Sequence, residues 1–422
     1  MNFKIYFTLK FFFNLSFSLS LLGLTACQQI SNDTIPEEGI TKKTIRLGSV
    51  LALEGQQEIV GNRIKYGLKA AFDDQLVQTK KLELIIENDY YEPGVAYQKT
   101  QELIESGIFL MIGNLGTPTA QKTLPILNKN NIPAVGFVTG SELLRSQSEL
   151  IINYRPSYAQ EIETVVKMAL YAGVKSSEIC AYVQDDSLGL GGLKAVRKAL
   201  AQAQVEEKIL DTYDQVLQYK KKGNKDNILL SPVGFYPRNT PYVEEGYNSL
   251  KKWEKNTEIN CRLVITAGTT TNIGRFIKFA QDEGENWVIS SLSSGSLEEL
   301  QLSLEEYGIT DKVIITTVVP SLDSDLPIVQ EAKSKLKNEF DHISLEGYIV
   351  GKMTLKILQT IPGKINRDNF LKQAAISKFD LGGVAIDLTQ GRIQSSDLVV
   401  VKIFTPQGFK KLNKEKLRDM FK

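Results

Sequence analysis

The chain of 422 residues has a single histidine, His342, with three cysteines and two tryptophans. Histidines and cysteines this few and this far apart form no zinc-ligand spacing. Other enzyme signatures are missing too: there is no GxSxG elbow, no HExxH, and no glycine-rich loop ending in Lys-Ser or Lys-Thr. Gly189-Leu190-Gly191-Gly192 begins like a dinucleotide loop, but Lys194 stands where the third glycine belongs. Asp185 and Asp186 just before it would repel a phosphate. His342 follows Asp341 ahead of a helical stretch and reads as a surface residue rather than a base. Excess charge of either sign is absent as well, since 50 Lys and Arg stand against 49 Asp and Glu. That balance excludes the basic face of a dedicated nucleic-acid binder and leaves the charge of a ligand undecided. Beyond residue 24 no apolar run is long enough to span a bilayer. No catalytic residue, metal or cofactor is therefore expected, and the chain reads as a non-enzyme.

At the N-terminus, Lys4 and Lys10 precede an apolar stretch from Phe11 to Leu24, followed by Leu24-Thr25-Ala26-Cys27. This resembles a bacterial lipoprotein signal with its lipobox. It implies removal of residues 1–26, lipidation of Cys27 and an extracytoplasmic, membrane-anchored protein. Residues 27–43 are polar and suit a tether. The two remaining cysteines, Cys180 and Cys261, each open an apolar strand-like run and read as buried core thiols, in a compartment where disulfides persist.

The length favours two domains. From Thr44 short β-branched runs alternate with helical periods: strands near 45–50, 82–87 and 108–112, helices near 59–74 and 94–105. A second cycle follows Arg155, with helices at 158–171 and 189–203 and strands at 179–184 and 263–266. Such alternation argues βαβ units and a parallel sheet. Gly116-Thr117-Pro118-Thr119 and Gly268-Thr269-Thr270-Thr271 place similar turns between a strand and a helix in the two cycles. Between Asp214 and Thr240 periodicity fails, and the basic run at 219–225 reads as an exposed loop.

Gly116-Thr117-Pro118-Thr119 and the run from Ile132 to Arg145 resemble type I periplasmic binding proteins, and more narrowly the branched-chain amino acid (Leu/Ile/Val) binding family of ABC transporters. Further matches are Arg155-Pro156-Ser157-Tyr158-Ala159-Gln160-Glu161, Tyr182 to Gly189, Ser344 to Tyr348 and Phe379 to Gly383. Together they cover nearly everything from Thr44 to Phe409. The resemblance implies an α/β fold of two Rossmann-like lobes with parallel-rich sheets, joined by three hinge crossings and closing on a solute. Lobe 1 would be 44–155 with 320–382, lobe 2 would be 156–319 with 383–412, and residues 413–422 a basic tail. Its implied partners are a small-molecule ligand and an ABC permease; the alternative is a ligand sensor reporting to a membrane receptor or kinase.

In open α/β sheets ligands lie beyond the carboxyl ends of the strands. Thr117 sits there, with Pro118 suited to the first helical turn and free amides following it. Its side chain is equally consistent with a helix cap and with a contact to a carboxylate. Thr139 is the natural second contact, and Tyr158 follows a hinge. Ser157 and Gln160 have capping-box spacing. In lobe 2, Asp186 is either a turn former or the partner of a ligand ammonium. The resemblance extends the ligand set to Thr119, Phe137, Leu188, Thr270 and Ser291. It also carries one departure: where leucine-binding relatives place an acid against the amino group, this chain reads Ser290-Ser291-Leu292-Ser293-Ser294.

Overall fold

The computed structural model describes residues 37–145, 148–223, 229–412 and 414–421. Two sheets organise them. The first is built from β1 (Thr44–Leu51), β2 (Leu76–Val77), β3 (Lys80–Asn88), β4 (Leu110–Ile112), β5 (Ala134–Val135) and β6 (Ile151–Ile152). Its spatial order is β2-β3-β1-β4-β5-β6, parallel except for the β2–β3 hairpin. The second contains β7 (Ile179–Gln184), β8 (Val233–Tyr236), β9 (Leu263–Ala267), β10 (Val288–Ser291) and β11 (Val313–Thr317). A small ribbon, β12 (Lys378–Asp380) with β13 (Ala385–Asp387), stands apart from it. The last strands, β14 (Val400–Thr405) and β15 (Gly408–Lys411), add antiparallel to the second sheet, giving the order β15-β14-β11-β10-β9-β7-β8.

Helices cover both faces of each sheet, as buried parallel strands require. Lobe 1 carries α1 (Glu58–Phe72), α2 (Pro93–Glu105) and α3 (Thr117–Lys129). Lobe 2 carries α4 (Tyr158–Tyr171), α5 (Ser187–Gln202), α6 (Glu207–Lys221), α7 (Glu244–Thr257), α8 (Thr270–Asp282) and α9 (Leu297–Glu306). The chain then returns to lobe 1 with α10 (Pro327–Leu336), α11 (His342–Gln359) and α12 (Arg367–Ala375), and ends with α13 (Lys414–Met420). Helix α11 is buried around nearly its whole circumference. It can approach α1 because a Cβ on Gly67 would meet the Ser344 carbonyl oxygen at 2.2 Å.

The chain crosses between lobes three times, and the crossings lie side by side. The Tyr154 hydroxyl donates to the Val318 carbonyl at 3.2 Å, and the Ser396 amide donates to the Tyr154 carbonyl at 2.9 Å. The third crossing comes later than the expected boundary at 382. Val384, Ile386 and Leu388 pack in the core built on β1, so the passage to lobe 2 lies between Ser396 and β14.

Other expectations are corrected. The described end of the tether is docked: Ile40 bridges to Ile45, and the Arg367 amide bonds the Glu38 carboxylate. Residues 414–421 are no loose tail, since Leu417 and Phe421 complete a lobe-2 core beside α4. The basic run at 219–222 is the end of α6, and its Lys220 is buried against Asp185 at 3.0 Å. Cys180 and Cys261 are bonded to each other rather than free, because β7 and β9 are paired neighbours and both cysteines face one core. His342 is buried rather than on the surface: its ring bonds Glu298 and lies 2.8 Å from Lys402 Nζ, both from lobe 2. The lipobox and Cys27 lie outside the described residues.

Candidate functional site

Facing loops at the carboxyl ends of the two sheets form a cleft. On the lobe 1 side, Thr117 is the first residue of α3 rather than its cap. Gly116 holds the cap position at φ 98°, a left-handed conformation that favours glycine, and a Cβ there would strike the Tyr91 ring at 2.4 Å. The first backbone bond of the helix is made by Ala120 to Gly116, so the amides of Thr117 and Thr119 precede the ladder. Freed from capping, the Thr117 hydroxyl lies 2.7 Å from that of Thr139. The phenol of Tyr158, which burial pushes above its ordinary pKa, lies close enough to Thr139 for that residue to oppose the rise. The paired Thr117 and Thr139 hydroxyls thus stand beside a helix N-terminus that favours negative charge, with the Tyr158 phenol close by.

Opposite them, Asp186 caps α5, accepting from the amides of Leu188 at 2.9 Å and Gly189 at 3.3 Å, and from the side chain of Gln184. Burial raises its pKa, against these hydrogen bonds and the Arg238 charge. Asp185 is committed to Lys220 instead. The wall continues through Tyr236, whose hydroxyl accepts from the Thr269 amide at 3.0 Å and whose ring stacks on Tyr182.

Not every expected contact has a free polar group. The Thr119 hydroxyl donates back to Leu115 and Gly116 carbonyls within its own helical turn. The Phe137 ring belongs to the core with Leu124 and Leu144. Leu188 sits buried in the first turn of α5, and the Thr270 hydroxyl accepts from the Ser296 amide at 3.1 Å. Ser291 ends β10, its hydroxyl turned to the next carbonyl. Ser157 and Gln160 form the expected capping box.

The sequence reading missed the residues that bridge the cleft. Arg238, just after β8, donates from Nη1 to the Tyr91 carbonyl and from Nη2 to Glu92, both at 2.7 Å, and Asn239 donates to Glu92 at 2.6 Å. Tyr91 is buried, and its phenol is pushed well up, first by burial and then by Asp186, Tyr158 and Tyr236 around it. Glu92 and Tyr91 were findable as the loop after β3; Arg238 follows a strand hidden in the aperiodic stretch.

Behind the cleft, Arg155 is buried with Glu346, Nε lying 2.9 Å from Oε1. The same guanidinium donates to the carbonyl and hydroxyl of Ser293 at 3.0 Å. Ser293 also donates its hydroxyl to Glu161 at 2.8 Å, and Glu161 accepts from Thr316. This polar hub joins a hinge, α11 of lobe 1, and α4, β11 and the loop after β10 in lobe 2.

Residues 44–218 match the periplasmic binding protein family. Among solved structures, the chain is similar to a possible leucine/isoleucine/valine-binding protein from Rhodopirellula baltica, with 29% identity, TM-score 0.78, and coverage of 91% of this chain and 100% of that one. A leucine-binding protein from Thermotoga maritima shares the fold at 13% identity and TM-score 0.69, covering 88% and 98%. A solute-binding protein from R. palustris in complex with 4-hydroxybenzoate does so at 16% identity and TM-score 0.65, covering 88% and 96%. A comparison with curated protein sequences finds no match. These similar structures are described as solute-binding proteins, and the two-lobed architecture agrees with the fold expected from the sequence.

Proposed function

We propose that this chain, a type I periplasmic binding protein by fold and by family match, captures a small carboxylate-bearing solute between its lobes outside the cytoplasm and hands it to an ABC permease. The observation that carries this reading is the close pair of Thr117 and Thr139 hydroxyls at the α3 N-terminus, with Asp186 capping α5, a helix packed against α3, and with Tyr158 and Asp186 both beside Tyr91. Hydroxyls and free amides suit a carboxylate, and the Asp186 carboxylate suits an ammonium, so an α-amino acid is the first candidate. A cation beside Asp186 would also offset, by its charge, the desolvation that raises the carboxylate's pKa.

Native mass spectrometry of protein purified without denaturation tests this directly, because a closed clamp retains its solute. The expected adduct is a small carboxylic or amino acid; an adduct lacking a carboxylate, or calorimetric silence across amino acids and small carboxylates, refutes the reading. Lipidation of Cys27 would hold the protein at the membrane. Cys27→Ser should release it to the soluble extracytoplasmic fraction or leave it unprocessed, and unchanged fractionation sinks that part of the proposal.

A further inference from the structure

A cavity of about 930 Å³ opens beside the hinge crossings and shares no residue with the cleft of Thr117, Thr139, Tyr158 and Asp186. Pockets of roughly 300–1,000 Å³ hold small molecules. Its apolar lining comes from both lobes: Leu322, Leu326 and Val384 from lobe 1, Leu297 and Val400 from lobe 2, with Leu398 on the crossing between them.

Set into this lining is Lys402 of β14, only 7% exposed. Its Nζ lies 2.8 Å from His342 Nε2, while His342 Nδ1 bonds Glu298. An ammonium can only donate, so Nε2 accepts and the ring proton sits on Nδ1, toward the carboxylate. Among the described residues no carboxylate oxygen comes within ion-pair distance of Lys402; Glu298 and Asp323 act on it from farther away. Burial accordingly lowers its pKa. Two of its three donor positions are thus free of a described bond, in a place where a buried cation calls for an anion. Lys410 and Lys411 line the same cavity. The other charges there are spoken for: Asp387 pairs with Lys378 at 3.0 Å and Arg392 with Asp397 at 2.5 Å.

We propose that this hinge-side cavity is a second binding site, for an amphipathic monoanion of the medium-chain carboxylate type, with its carboxylate on Lys402 and its aliphatic chain along Leu297, Leu322 and Leu326. A second negative charge on the ligand is disfavoured because Glu298 and Asp323 also line the cavity. Since the walls belong to both lobes, an occupant fixes their relative angle and couples to the cleft on the other side of the hinge.

Octanoate is the probe, titrated calorimetrically into the full mature chain at neutral pH, with octanol and octylamine as controls. The expected result is saturable octanoate binding, at least tenfold tighter than either control. Lys402→Met should weaken it tenfold or more, and Leu322→Glu, at a half-buried position of the apolar lining, should weaken it likewise. The double variant Thr117→Ala/Thr139→Val should bind octanoate as the parent does. Absence of octanoate binding, binding indifferent to both cavity variants, or binding abolished by the cleft double variant overturns the proposal, the last by placing octanoate in the cleft.

Discussion

Replacing Arg238 by Ala should open the clamp. In the closed arrangement the guanidinium donates across the cleft to the Tyr91 carbonyl and to Glu92, and Glu92 also accepts from Asn239. When the lobes part, both ends return to water, so only the difference between the two states counts. A hydrogen bond to a charged group contributes about 1.5–3 kcal/mol when buried, but an exposed ion pair contributes about 0.2–1 kcal/mol. With side chains 22% exposed at Arg238 and 43% at Glu92, the pair lies between these limits. We take about 1–2 kcal/mol, which converts to roughly 5–30-fold weaker ligand binding, because solute is held only in the closed form. The loss should fall mainly on the dissociation rate, with association little changed. Glu92→Gln, which keeps the acceptor for Asn239, should fall between variant and parent. Stopped-flow displacement of the solute recovered from the native protein measures both rates. If Arg238→Ala dissociates within twofold of the parent, these contacts do not hold the clamp shut.

Thr117→Ala and Thr139→Val should each weaken binding of that solute by roughly tenfold to a hundredfold in calorimetry, the worth of one hydrogen bond to a charged group in a water-poor site. Thr139→Val, which also leaves the buried Ser141 amide without its acceptor, should in addition lower the melting temperature of the ligand-free protein. Asp89, buried behind the Tyr91 loop, has its carboxyl raised to about 6 by that burial. A folded pKa above the unfolded one gives a contribution fully present below about pH 4 and lost as pH rises through 6. Asp89→Asn, which keeps the acceptor for the Tyr91 amide, should therefore raise the melting temperature at pH 7.5 and leave it unchanged at pH 4; equal gains at both would refute the assignment. The Cys180–Cys261 bond spans a sequence separation of 81, so its removal in a double Cys→Ala variant should cost up to about 4 kcal/mol in urea unfolding, and a loss below about 1 kcal/mol would show that the closed loop is not what it constrains.

Local elements were legible in the sequence wherever periodicity was strong. The helix expected at 158–171 and the strand expected at 179–184 are α4 and β7 to the residue. What failed was set by distant partners. Cys180 and Cys261 pair because β7 and β9 are neighbours in space although β8 separates them in sequence. The stretch from 214 looked aperiodic because the end of α6 keeps Lys220 buried against Asp185 and over the Phe235 ring, a pattern that hydrophobic spacing cannot register. At the cleft, Thr117, Thr139 and Tyr158 were readable as residues at strand ends and a hinge; the hydroxyls of Thr117 and Thr139 are paired, and Tyr158 lies beside Thr139. Arg238 and Glu92 carry no local signature, since each is an ordinary surface charge until the other lobe arrives. His342 misled for the same reason: beside Asp341 it looked solvated, and only Glu298 and Lys402 from lobe 2 bury it.

The hub of Arg155, Glu346, Ser293 and Glu161 also bears on how the molecule comes apart. Its guanidinium and carboxylate are 1% and 2% exposed, and their neighbours come from both lobes. Were lobe 1 to melt alone, Glu346 would leave and Arg155 would face water or stand unmatched; breaking such a buried pair costs about 3–5 kcal/mol. Were lobe 2 to melt alone, the same guanidinium would lose Ser293, and Glu346, whose pKa burial already raises, would be laid open. Neither half can therefore denature without damaging the other. Two cores that look separable on the basis of their sheets are bound into a single cooperative transition, and heating should show one calorimetric peak rather than two.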